Sequence, residues 1–100
     1  MSVNYNVSIE SNIMKNLKEI SKLIKNLASE NEIYDFLLEI LTQSEVETLS
    51  KRWQILKLLN EGKTQRDIAQ NLKVSLCKVT RGAKILKSEN SVIYKNLKGE

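Results

Sequence analysis

Residues 64–87 read TQRDIAQNLKVSLCKVTRGAKILK, and few folds accommodate that order of side chains. Ile68, Ala69 and Leu72 fall at helical spacing, and Thr64 with Asp67 three residues on has the form of an N-cap with an acidic N3 residue. Lys73 and Val74 turn the chain. Ser75 then caps a second helix, whose apolar positions Leu76, Val79, Ala83 and Leu86 follow at +3, +4 and +3. Two short capped helices joined by a tight turn form a helix-turn-helix pattern. Small Ala69 lets them cross closely, while Ile68, Leu72, Val74 and Val79 seal the angle.

The rest of the composition fits a helical chain. There is no Pro and there are only three Gly, so little interrupts helices, and the reading is all-α with about six of them. One hundred residues make a single domain, 1–100, which buries only about 60–65% of its unfolded surface, so a second copy would help cover it. No apolar run approaches the roughly 18 residues of a membrane span and no signal-peptide pattern is present, which points to the cytoplasm. One Cys and no His leave no disulfide and no zinc spacing. Without a partnered nucleophile, an acid-base pair or a phosphate-binding glycine loop, an enzyme is not expected.

Charge divides the chain in two. Residues 1–50 carry 4 basic and 8 acidic side chains, net −4; residues 51–100 carry 12 and 4, net +8. The positive half holds the helix-turn-helix. That asymmetry suits a polyanionic partner, although a solvated lysine-rich surface gives the same counts.

In chain order, residues 1–7 are expected to be disordered and the first helix to start near Ser8. Ile9, Ile13, Leu17, Ile20, Ile24 and Leu27 make a long seam, widened by Met14 and Leu23, that needs another surface to cover it; an intertwined homodimer is the expectation, core packing within one chain the alternative. Ser29 with Glu32 is a capping box before a second helix over about 30–41. Thr42 with Glu45 is another, opening a third helix lined by Val46, Leu49, Trp53, Leu56 and Leu59, broadened by Ile55 and Leu58, and stopped at Gly62. Trp53 reads as a core anchor. A polar link begins at 88–90, and Val92, Ile93 and Leu97 suggest a weak last helix.

On the second motif helix, the side opposite Val79 and Ala83 presents Cys77, Lys78, Arg81, Lys84 and Ile85. DNA-contact candidates are Gln65 and Arg66 on the first motif helix, Ser75, Leu76, Cys77 and Lys78 at the start of the second, and Thr80, Lys84 and Lys87 along it. Arg66 is suited to bidentate contact with guanine. Ile85 is an apolar side chain among cations, and beside it Gly82 leaves a gap for the third helix, a partner subunit or a small flat ligand.

Residues 41–87 resemble the Trp repressor family. LTQSEVETLSKRWQILKLLNEG is similar to its central long helix, and TQRDIAQNLKVSLCKVTRGAKILK to its DNA reader, with QRDIA and TRG-x-x-x-LK the closest pieces. The resemblance implies a homodimeric repressor of double-stranded operator DNA, with interlocked first helices and L-tryptophan as corepressor. It also implies that Arg52 and Arg81 flank the indole, that Arg81 meets the carboxylate, that Thr42 lies near the site and that Gly82 leaves room for the ring. Ile85 replaces a serine that helps hold the ammonium group, Glu39 stands where leucine is common and is a candidate to compensate, and Lys78 replaces a threonine. Two alternatives stay open: a reader of this kind with another effector or none, and a helical protein-interaction module with a basic face.

Overall fold

The computed structural model describes residues 2–98, with side-chain surroundings given for 11–97. Six helices follow one another: α1 (Ser2–Lys25), α2 (Glu30–Ile40), α3 (Gln43–Asn60), α4 (Gln65–Leu72), α5 (Leu76–Lys87) and α6 (Val92–Lys98). They form two compact units, residues 1–40 and residues 41–100.

Unit one holds α1 and α2. Helix α1 runs from Ser2, ahead of the start expected near Ser8, and Met1 lies outside the described residues. Glu32 N–H donates to Ser29 Oγ at 3.3 Å, but the return bond of the expected box comes from Ala28 N–H to Glu32 Oε1 at 2.7 Å, one residue early. None of residues 11–40 is buried. Ile13, Met14, Leu17 and Leu23 stay between 47 and 61% exposed, and Tyr34, Leu38 and Ile40 are exposed too.

Unit two contains the core. Thr42 and Glu45 complete their capping box, Glu45 N–H donating to Thr42 Oγ1 at 3.1 Å and Thr42 N–H to Glu45 Oε1 at 2.8 Å. Helix α3 ends in a Schellman motif: Gly62 adopts φ 95° as Gly62 N–H donates to Leu59 O at 3.0 Å and Lys63 N–H to Leu58 O at 3.1 Å. The left-handed backbone explains the glycine there. Thr64 and Ser75 cap α4 and α5, accepting from Asp67 N–H at 3.1 Å and Lys78 N–H at 3.4 Å.

Ile68, Val79 and Ile55 are almost completely buried together, with Leu58, Leu59, Ala69, Leu72 and Val74 against them. The core therefore joins the helix-turn-helix to the C-terminal half of α3. Helix α6 packs on α5 and α3. Further up α3, Leu49 and Trp53 are 46% and 44% exposed, which corrects the reading of Trp53 as a core anchor. The stripe from Leu49 through Trp53 to Leu56 is continuous in sequence, but Ile55 and Leu56 are where α3 is buried.

The turn between α4 and α5 carries local strain. Lys73 closes α4 with φ 57° and ψ 47°, the left-handed region that costs a residue with a Cβ about 1–2 kcal/mol. Lys73→Gly should therefore raise unfolding stability by about 0.5–1 kcal/mol, after allowing for the greater chain entropy of glycine. Urea unfolding measures this, and a loss of stability would assign Lys73 a favourable side-chain contact larger than the strain.

Candidate nucleic-acid interface and effector cavity

The outer face of α4 and α5 follows from what the inner face buries. Val79 and Ala83 face α3, so Lys78, Arg81 and Lys84 are left exposed, with Lys87 at the end of the helix. Ser75, Leu76 and Cys77 are exposed at the start of α5, and Arg66 is exposed near the start of α4. Leu76 is half exposed despite fitting the apolar stripe of Val79 and Ala83. It lines a shallow groove with Cys77, Thr80, Arg81 and Lys84.

Two DNA candidates are tied to each other. Thr80 Oγ1 lies 2.9 Å from Gln65 Oε1 and 3.0 Å from Leu76 O, so its single hydroxyl proton is shared between these acceptors. The bond spans α4 and α5 and fixes the Gln65 amide at the edge of the reader. No sequence periodicity indicates such a link, because it depends on the crossing of two helices.

Of the five effector candidates, Arg52, Arg81, Gly82 and Ile85 line a single cavity of about 610 Å³ between the third and fifth helices. That volume lies within the range of roughly 300–1,000 Å³ usual for small-molecule sites. Thr42 is not among its lining residues, and its hydroxyl already accepts the Glu45 N–H. Trp53 and Ile93 also line the cavity. The sequence reading placed Trp53 in the core and assigned no site role to Ile93, which reaches the cavity only because α6 folds back on α3 and α5.

Gly82 lines the cavity, but helix packing accounts for its missing side chain. A Cβ there would lie 3.1 Å from Ile55 Cγ2 and 3.2 Å from Leu59 Cδ1. Of the three occupants that the sequence left open for this gap, the third helix fills it.

Among the described residues no group of three His, Cys, Asp or Glu side chains could hold a metal, and no helix is long and apolar enough to cross a membrane. Residues 15–99 match the Trp repressor protein family. The chain belongs to that family. Trp operon repressor homologs from Xylella fastidiosa are 44% identical over 72 residues, covering 68% of this chain and 78% of theirs. One from Haemophilus influenzae is 32% identical over 80 residues, covering 76% of this chain and 79% of its own. Another, from Chlamydia caviae, is 37% identical over 68 residues, 67% of either chain. The Trp repressor family is regulatory and DNA-binding, not enzymatic.

The geometry at Gly82 gives a graded expectation. Gly82→Ala gains about 1 kcal/mol of helix propensity but presses on Ile55 Cγ2 and Leu59 Cδ1, which offsets the gain, so stability should change by less than about 1 kcal/mol. Gly82→Val adds a branched isopropyl group against Ile55 and Leu59 and should cost about 1–3 kcal/mol. Equal thermal stabilities for the two variants would contradict the close approach.

Proposed function

We propose that the protein is a transcriptional repressor that binds a palindromic operator as a homodimer, and that a small flat aromatic acid in the α3/α5 cavity raises its DNA affinity. L-tryptophan is the first candidate corepressor, in keeping with the names of the relatives. A cytoplasmic location goes with this role. The observation that carries the reading is the exposed basic outer face of the capped α4–α5 pair, backed by the buried Ile68, Val79 and Ile55.

In this reading Arg66 makes a bidentate contact with a guanine edge, while Lys78, Lys84 and Lys87 neutralise phosphates. Leu76 and Cys77, at the N-terminal turn of α5, meet base edges. Helix-turn-helix dimers, Trp repressors among the defining examples, place two such heads about 34 Å apart in successive major grooves. A second copy is supported by unit one, whose uncovered Ile13, Met14, Leu17 and Leu23 need an apolar partner. The ligand acts by binding the DNA-competent head arrangement more tightly, each tenfold preference being about 1.4 kcal/mol.

Titration of duplex DNA at several salt concentrations tests the reading. Binding should show sequence preference and a steep salt slope, and Lys78→Ala should flatten that slope by about 1. Sequence-independent binding with no slope would favour an acidic protein partner instead. Arg52→Ala should lose the response to corepressor while keeping its unfolding midpoint; a fall in the midpoint would make Arg52 structural. Leu17→Glu should convert dimer to monomer in sedimentation analysis, and an unchanged sedimentation coefficient would remove α1 from the interface.

A further inference from the structure

The shallow groove on the outer side of α5 sets apolar side chains beside two cations. Leu76 and Cys77, neighbours in the first turn of the helix, line it together with Thr80, Arg81 and Lys84. Leu76 is 50% exposed, although Val79 and Ala83, which follow it on the same stripe, are buried. The hydroxyls around it are already engaged. Thr80 Oγ1 has one proton, shared between Gln65 Oε1 at 2.9 Å and Leu76 O at 3.0 Å, and Ser75 Oγ accepts the Lys78 N–H at 3.4 Å. The Cys77 thiol is a weak donor. Among the side chains that line the groove, the strong donors are Arg81 and Lys84.

We propose that this groove reads the 5-methyl group of a thymine in the DNA major groove. The proposal rests on the DNA-binding reading and names the base feature that the start of α5 selects. Residues at the N-terminal end of a recognition helix contact base edges. On its major-groove edge thymine carries a methyl group beside the O4 acceptor. Leu76 and Cys77 match the methyl, while Arg81 and Lys84 match O4 or the neighbouring phosphate. Guanine offers N7 and O6 to the same cations, but it sets polar atoms against Leu76 without a partner. Cytosine lacks the methyl and turns an amino donor toward the cations. Leu76 is then a specificity-determining residue, whereas lysines that meet phosphates add affinity without sequence preference.

A pool of duplexes with a randomised centre, enriched by repeated capture on the full chain with and without L-tryptophan, supplies the probe. Each thymine of the enriched duplex is then replaced singly by deoxyuridine, which removes the methyl group and leaves pairing and O4 in place. Fluorescence anisotropy of the labelled duplex gives the Kd. The expected result is a position where loss of one methyl group weakens binding about fourfold, with the salt slope unchanged because no charge is removed. At that position 5-methylcytosine should bind more tightly than cytosine by a similar factor. In Leu76→Ala the deoxyuridine replacement should cost less than about twofold, while Leu76→Met, which keeps the apolar bulk, should retain the full loss. A cost below about twofold at every thymine, or a fourfold cost that persists in Leu76→Ala, would overturn the proposal while keeping the DNA reading. A pool that yields no enriched duplex would overturn the DNA reading itself, and this proposal with it.

Discussion

The approach of α5 to α3 at Gly82 governs the geometry of unit two. With no side chain at this position, Ile55 and Leu59 come within about 3 Å of where a Cβ would stand. The flanking turns of α5 then bury Val79 and Ala83 in the same contact. Once these positions face inward, helical spacing leaves Lys78, Arg81 and Lys84 outside. The basic outer face is thus the complement of a packing contact.

The same contact gives one short helix two surfaces. Arg81 precedes Gly82 and lines the cavity, while Leu76, Cys77 and Thr80 line the groove on the outer side, which Arg81 also borders. A helix of three turns is stiff along its own axis, so any shift of α5 on α3 carries its outer-face residues as one body. The Thr80–Gln65 bond extends that body to the start of α4. The coupling proposed above between a small ligand and DNA needs no chain of side chains, only a change in how α5 lies on α3.

Features made by neighbouring residues were legible in the sequence. The capping box at Thr42 and Glu45, the caps at Thr64 and Ser75 and the glycine stop at Gly62 each depend on a few consecutive positions, and each forms. The inward stripe of α5 was legible for Val79 and Ala83 and failed for Leu76, which sits where α5 starts. Trp53 failed for a related reason: helical spacing identifies an apolar face but not how far along that face the covering elements reach. Lys73 in the left-handed region, Ile93 in the cavity and the Thr80–Gln65 bond could not be read, since each depends on the angle at which helices meet. The resemblance pairs Arg52 with Arg81, and these two line one cavity.

Unit one raises a different energetic question. Its two helices expose most of their large apolar side chains and bury none among residues 11–40, so little offsets the conformational entropy lost in ordering them. Isolated helices of this kind are marginal in water, and most helical stability in proteins comes from covering an apolar face. Unit two differs, with a closed if small core at Ile55, Ile68 and Val79. If α1 and α2 gain their order by association, their stability depends on protein concentration while that of the reading head depends far less on it. In the proposed dimer, dilution would then separate the two heads before it unfolds either, and the proposed palindromic site, which requires both heads at a fixed spacing, would lose its reader first.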